Sequence, residues 1–448
     1  MSHQKPVIAK GVDWTMIWLY IIICTIGLVC IISVEYKGTE SFVQGLFAFK
    51  KNYSKQFFYL GFSGIVAIFI LLTDSKFFTA TANIFYIFGI FLMMLTFVVG
   101  KNVNGSHSWI PLGFMNLQPV ETCKIFTALA LAKYLSLPET DFSKPRSHAI
   151  AAGICFLPIV FSLLQNETGL ALVYFAFLLP MYREGLPAGY LILGASLAIL
   201  LVLTLLIPTT QLLIALAIIA ALCIFFLKRK IKRSRNLLII IISLWGISSL
   251  FVGVAVPFMF KNVFQKYQAD RIFSMVGRDN PFIENNTENL DNTATAKKKK
   301  GDSENYNVKQ SKIAIGSGGF AGKGFMKGTQ TQGDFVPEQH TDFIFTSLGE
   351  SFGFIGTTVL MLLYLAMLLR IVVIAERQRS TFSRVYAYSV AGILFFHVAV
   401  NICMTIGLAP VIGITLPLMS YGGSSLLTFT ILIFILIKLD SDRQMVLR

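Results

Sequence analysis

Charge is scarce in this sequence. Asp, Glu, Lys and Arg make up only 14% of the 448 residues, while 55% are hydrophobic. An ordinary soluble domain carries about a quarter charged residues, so the shortfall points to lipid as the solvent. Grouped metal or disulfide ligands are also lacking. Cys24, Cys30, Cys123, Cys155, Cys223 and Cys403 all fall inside apolar runs, with no CxxC and no Cys/His cluster. That pattern excludes a disulfide framework and a structural zinc site. No small-residue cleavage site follows the first apolar run, Trp14 to Val34, so it reads as a permanent span. A nucleotide loop is missing too. The segments Gly316-Ser317-Gly318-Gly319 and Gly322-Lys323-Gly324 suggest one at first sight, but Gly324 follows Lys323 and Ser317 stands where the upstream glycine belongs. A dinucleotide fingerprint would need a preceding strand, which an array of apolar helices does not offer.

What is present is a series of apolar runs. A helix needs about 20 such residues to cross a bilayer, or about 17 at the short end. Runs occur at 14–34, 57–73, 82–100, 119–135, 149–164, 169–182, 188–207, 211–227, 236–256, 343–374, 385–408 and 416–439. The expected fold is all-α, a polytopic membrane helical bundle of about 10–12 transmembrane helices forming one domain over 1–448. The net charge of +15 sits largely in short loops. The positive-inside rule accounts for it, and no nucleic-acid partner is implied. The cluster Lys228 to Arg235, the group Arg377, Arg379 and Arg384, and the terminal Lys438, Arg443 and Arg448 all land on the N-terminal side when twelve spans are counted. Both termini are therefore expected in the cytoplasm. The loop with Lys37, Lys50, Lys51 and Lys55 lands outside and disagrees.

This orientation puts the only long loop, 257–341, outside the cell. Its middle, about 284–304, is rich in Asn, Thr and charge, including the run Lys297 to Lys300. Such a stretch cannot bury enough apolar surface to fold alone and is expected to be a disordered insertion. The glycines that follow suggest tight backbone turns.

Three features carry possible chemistry. Pro337-Glu338-Gln339-His340-Thr341-Asp342 leads the long loop into the tenth run. Asp342 reads as a helix cap, since its carboxylate can accept from free backbone N–H groups, or as a general base held at the outer membrane surface, and the two roles need not exclude each other. Glu121 and Lys124 lie one helical turn apart in the fourth run and can meet on one face as an ion pair. The pair is either structural or part of a substrate path, and Glu167, near the end of the fifth run, is a similar case. Ser420-Tyr421-Gly422-Gly423-Ser424-Ser425 opens the last run. Its small residues serve close helix packing or line a polar groove.

Taken in order, these motifs resemble those of the SEDS family (shape, elongation, division and sporulation). Ala314 to Gly324 resembles its AIGSGG-x-x-GKG stretch, Pro337 to Phe345 its PE-x-HTDFIF motif, Pro417 to Ser425 its P-x-x-SYGGSS motif, and Gln118 to Lys124 its QP-x-E-x-x-K motif. Gly328-Thr329-Gln330-Thr331-Gln332 and Tyr267-Gln268-Ala269-Asp270-Arg271 resemble the elongation branch, RodA, more than the division branch, FtsW. The family's PDLGT segment departs here to Asn166-Glu167-Thr168-Gly169-Leu170, and two extra spans lie between about 188 and 256.

The resemblance implies a peptidoglycan glycosyltransferase of the inner membrane that polymerises lipid II onto a growing glycan strand during cell elongation, with inversion at the anomeric carbon. It implies Asp342 as the base. Glu121, Lys124, Glu167, Arg271, Lys312, Lys323, Glu338, His340, Thr341, Ser420, Tyr421 and Ser424 become substrate-binding candidates, with Arg271, Lys312, Lys323 or Lys327 facing the diphosphate. No cofactor is required, although Mg²⁺ suits a diphosphate. The sequence shows no soluble penicillin-binding domain, and the resemblance implies a class B penicillin-binding transpeptidase and other elongation-complex proteins as partners. A lipid II flippase, an FtsW-like division polymerase and a scaffold for the transpeptidase are the alternatives.

Overall fold

The computed structural model describes residues 11–36, 42–103, 106–233, 235–263, 273 and 294–443. Helices dominate. Four come first: α1 (Trp14–Glu35), α2 (Phe42–Phe47), α3 (Asn52–Leu72) and α4 (Ser75–Val99). Asp13 caps α1 by accepting from the Met16 N–H at 3.1 Å, and Asp74 caps α4 through the Lys76 N–H. Each carboxylate satisfies a backbone donor that the helix start leaves orphaned. A small antiparallel sheet follows, β1 (Lys101–Val103), β2 (Ser106–Pro111) and β3 (Asn116–Leu117), in the order β1-β2-β3. It pairs Lys101 with Trp109 and Ile110 with Leu117.

The chain then forms α5 (Pro119–Ser136), α6 (Pro145–Leu164), α7 (Thr168–Val173), a 3₁₀ turn (Tyr174–Phe177) and α8 (Leu178–Arg183). Proline opens both α5 and α6, where its missing N–H costs nothing. Next come α9 (Ala188–Leu206), α10 (Thr209–Arg233) and α11 (Arg235–Leu250), the last continued by two π turns as far as Val263. The remaining helices are α12 (Ala294–Gly318), α13 (Thr329–Gln332), α14 (Ile344–Glu376), α15 (Thr381–Thr405) and α16 (Gly423–Ser441). Nine helices among the described residues are long and apolar enough to cross a membrane. Three more, α5, the α7–α8 pair and α9, occupy the other apolar runs. The protein is an all-α, multi-pass membrane bundle.

The expected insertion is only partly visible. Residues 284–293 lie outside the described residues, and from Ala294 the chain is helical through Gly318. Alanine and lysine are strong helix formers, and neither Gly nor Pro interrupts Ala294 to Lys300.

By packing, the chain divides into two compact units, Met1–Leu186 with Asn307–Arg448, and Pro187–Tyr306. In the first unit α16 is central, with Phe429, Leu432, Ile433, Leu436 and Ile437 fully buried. An ion network closes one end. Asp13 accepts from Arg370 at 2.7 Å and from Arg377 at 2.8 Å. Arg377 also pairs with Asp440, and the Gln378 amide donates to Asp440 at 2.9 Å. The start of α1, the α14–α15 connection and the end of α16 thus meet at one face. In the second unit α9, α10 and α11 are apolar and outward-facing. Phe226 is 76% exposed and Ile239 61%, as lipid-facing spans require.

The tenth apolar run is not one continuous helix. Gly353 interrupts α14 with φ +61°, a conformation that favours glycine. The break frees backbone groups, and the glycine-rich segment takes them up. Lys323 N–H donates to the Glu350 carbonyl at 3.0 Å and Gly324 N–H to the Ser351 carbonyl at 2.9 Å. In return, Phe354 N–H donates to the Gly319 carbonyl and Ile355 N–H to that of Phe320, at 3.0 and 3.1 Å. A Cβ on Gly353 would stand 2.4 Å from the Gly322 nitrogen, and one on Gly322 would stand 2.3 Å from the Ser351 carbonyl oxygen. The glycines are there so that two backbones can touch. Broken helices persist at membrane depth only when protein re-satisfies them in this way.

Candidate functional site

The approach to α14 is a compact turn. Glu338 adopts φ +52°, and its carbonyl accepts from the N–H groups of Thr341 and Phe343 at 3.2 and 3.1 Å. The Thr341 hydroxyl donates to the Glu338 carboxylate at 2.9 Å. The Gln339 amide donates to Asp334 at 2.8 Å, and Ser347 donates to the Gln339 carbonyl at 3.2 Å. The cap position of α14 is Phe343, whose own side chain makes no capping hydrogen bond. Asp342 stands one residue earlier.

A second segment, 406–422, packs against this turn from the other side. Ser420 bridges the two: its hydroxyl donates to the Thr341 carbonyl at 2.7 Å and accepts from Leu416 N–H at 2.8 Å. Tyr421 N–H donates to the His340 carbonyl at 2.8 Å, and the two rings meet edge to face at 6.1 Å. Asn401, fully buried on α15, donates from one amide nitrogen to the carbonyls of Asp342 and Ile414 at 2.8 and 2.7 Å. Asp342 is half-buried. Its carboxylate oxygen lies 3.5 Å from where a Cβ of Gly413 would be. From α3, Gln56 holds the same loop, donating to the Ser420 carbonyl at 3.3 Å and accepting from Gly422 N–H at 3.1 Å. Burial pushes the Tyr421 phenol above its ordinary pKa, so it remains a neutral hydrogen-bonding group.

Beneath this surface lie the intramembrane charges. The expected Glu121–Lys124 ion pair is absent as a direct contact. Lys124, completely buried, instead reaches His397 Nε2 at 2.8 Å, with the Phe429 ring 5.6 Å away. His397 Nδ1 meets the Thr415 carbonyl at 3.1 Å, which it can do only as a donor. Nε2 is then left to accept from the ammonium. Glu121 lies beside Ser424 and Ser425, and one of its buried oxygens has no hydrogen-bond partner among the described protein groups. Ser424 accepts from Gln118 N–H at 3.0 Å, and Ser425 shares a hydrogen bond with Thr415 at 2.9 Å. Glu167 accepts from the Ser108 hydroxyl at 2.6 Å. Two residues on, a Cβ at Gly169 would stand 2.5 Å from the Ile412 carbonyl oxygen, so only glycine lets α7 abut the 406–422 segment.

Not every candidate joins this cluster. Lys323 donates to Glu350 at 2.7 Å and to the Thr329 hydroxyl at 2.6 Å. Glu350 is fully buried and also accepts from Gln330 N–H at 2.9 Å, Thr331 N–H at 2.9 Å and the Thr331 hydroxyl at 2.8 Å. The charge of Lys323 is therefore committed to a structural hub. Lys312 is exposed and lies over Gly407, at the edge of the 406–422 segment. Arg271 lies outside the described residues. No group of three or more His, Cys, Asp or Glu is placed to hold a metal ion among the described residues. The motifs gave no warning of Gln56, His397, Asn401 or Glu350. Polarity inside apolar runs was the available signal for the last three.

The FtsW/RodA/SpoVE cell cycle protein family matches residues 14–216 and 187–445. The peptidoglycan glycosyltransferase MrdB of Escherichia coli strain K12 is 29% identical over 362 residues, covering 80% of this chain and 78% of the relative. The peptidoglycan glycosyltransferase RodA of Treponema pallidum is 28% identical over 449 residues, covering 96% and 97%. A solved chain from a peptidoglycan synthase complex that coordinates polymerization and crosslinking superposes with a TM-score of 0.66 at 22% identity, covering 97% of this chain and 98% of that one. With its motifs in place along nearly the whole sequence, the chain belongs to the FtsW/RodA/SpoVE family of multi-pass membrane proteins.

Proposed function

We propose that this chain is a peptidoglycan glycosyltransferase of the bacterial inner membrane, with both termini in the cytoplasm, and that it polymerises lipid II during elongation. The observation that carries the reading is Asp342. It is a half-buried carboxylate whose own backbone is fixed by Asn401, while Ser420 fixes the residue before it. Such a group is positioned to accept a proton from a sugar hydroxyl. As the acceptor 4-hydroxyl loses its proton to Asp342, its oxygen attacks the anomeric carbon of the growing strand. The bond from that carbon to the diphosphate breaks, and the configuration inverts from α to β. The polyprenyl diphosphate leaves with the electron pair. Exposed Lys312 is our candidate for offsetting that charge, because Lys323 is engaged by Glu350. A divalent cation would help hold the diphosphate, but no step above is routed through one. By analogy with the relatives' names and the synthase complex, a class B penicillin-binding transpeptidase is the proposed partner.

The test is lipid II supplied to the purified, reconstituted protein. Glycan strands from the wild type and none from Asp342→Ala support polymerisation. A flippase would move lipid II across the vesicle membrane without lengthening strands, and a scaffold would do neither.

A further inference from the structure

One long stretch of the second unit carries charge of one sign only. From Gly185 to Ala269 the sequence has no Asp or Glu, yet six of the eight residues Lys228 to Arg235 are basic. They sit where α10 ends and α11 begins. Lys228, Arg229, Lys230 and Lys232 are exposed. Lys228 and Lys232 stand one helical turn apart, where like charges repel. The Lys228 ammonium lies 4.6 Å from the centre of the Phe225 ring, resting on an aromatic face that the helix presents outward. The flanking helix faces are apolar and exposed, with Phe225 at 60%, Phe226 at 76% and Ile240 at 61%.

We propose that this end of the α10–α11 hairpin is a binding site for anionic phospholipid headgroups, with Lys228, Arg229, Lys230 and Lys232 holding the phosphates. Depth favours a lipid over an acidic protein. A single residue, Ser234, separates the two helices, so no loop carries the charges away from the membrane. At about 1.5 Å per helical residue, Lys232 stands roughly 8 Å beyond Leu227, where the continuous apolar run ends and only Ile231 interrupts the basic residues. That is headgroup depth. The occupant must bring negative charge and also tolerate exposed Phe225 and Phe226 beside it. A phospholipid in the same leaflet satisfies both requirements, with its phosphate on the cations and its acyl chains along α10.

The experiment uses the full-length protein in micelles. Native mass spectrometry follows retained phosphatidylglycerol against phosphatidylcholine. The wild type should hold phosphatidylglycerol at least about tenfold more strongly, since each juxtamembrane cation contributes measurably, and rising salt should weaken the preference. The quadruple variant K228Q/R229Q/K230Q/K232Q should lose it, and K228R/K230R/K232R should keep it. Should the quadruple variant fail to insert or fold, the salt dependence and the arginine variant decide. Equal retention of the two lipids by the wild type would overturn the proposal and reduce the cluster to a sidedness signal. So would a preference abolished by millimolar inorganic phosphate, which would mark a site for free phosphate.

Discussion

Glu350→Gln should destabilise the protein severely although it alters only one atom in shape. Glu350 has no exposed surface, and both of its oxygens accept. One takes the Lys323 ammonium at 2.7 Å and Gln330 N–H at 2.9 Å; the other takes Thr331 N–H at 2.9 Å and the Thr331 hydroxyl at 2.8 Å. An amide nitrogen on either side would oppose donors with donors. It would also leave Lys323, whose side chain is only 24% exposed, without its counter-charge. Removing one partner of a buried pair costs about 3–5 kcal/mol, and the partial exposure of Lys323 places this case near the lower end. Against a total stability of about 5–15 kcal/mol, that is a large fraction. Unfolding in mixed micelles by titration with a denaturing detergent measures it directly. A double-mutant cycle with Lys323→Ala should give a coupling of at least about 1 kcal/mol, the remainder of the loss belonging to Gln330 and Thr331. If Glu350→Gln unfolds within about 0.5 kcal/mol of the wild type, the hub does not hold the glycine-rich segment to the broken helix.

Other consequences are equally direct. Gly353→Ala should cost more than about 1–3 kcal/mol, the price of strain at a positive φ, because its Cβ would also meet the Gly322 nitrogen at 2.4 Å; the unfolding assay reads it. His397→Leu should leave Lys124 with a buried, unsatisfied ammonium and cost at least about 1–3 kcal/mol, while the pair Lys124→Met with His397→Leu should recover part of the loss. At Asp13, burial pushes the carboxyl upward, but hydrogen bonds from Arg370, Met16 N–H and Arg377 outweigh it and hold the pKa below the usual range. Its contribution is therefore complete above the unfolded pKa of about 3.9 and is lost as pH falls through the lower folded value. Asp13→Asn should then be less stable than the wild type at neutral pH, with the gap closing only under strong acid.

The spans were legible because bilayer thickness sets their length and lipid sets their composition. Their interruptions were not. Ser351-Phe352-Gly353-Phe354 reads as part of one apolar run, and the groups that satisfy the break, Gly319 to Gly324, lie about thirty residues upstream. The tight backbone of the glycine segment is legible in its sequence, but its docking partner is not. Lys124 shows the same limit. Glu121 is its obvious neighbour in sequence, whereas its hydrogen-bond partner, His397, comes from a helix 273 residues away. Asp342 could be singled out from its motif alone. That Phe343 takes the cap position of α14 depends on where the turn begins, and local composition does not fix that.

Asp342→Asn tests the central claim most directly. The amide keeps the side chain's size and neutralises its charge, and the backbone contact from Asn401 to the Asp342 carbonyl is untouched. The variant should therefore insert, fold and bind lipid II. The measurement is the rate of strand elongation by reconstituted protein at saturating lipid II, with lipid II binding checked in parallel. Loss of a general base predicts a rate lower by about a hundredfold or more with binding retained. Elongation by Asp342→Asn at the wild-type rate would contradict the assignment and turn the search for a base to Glu338, Asp334 and Glu167.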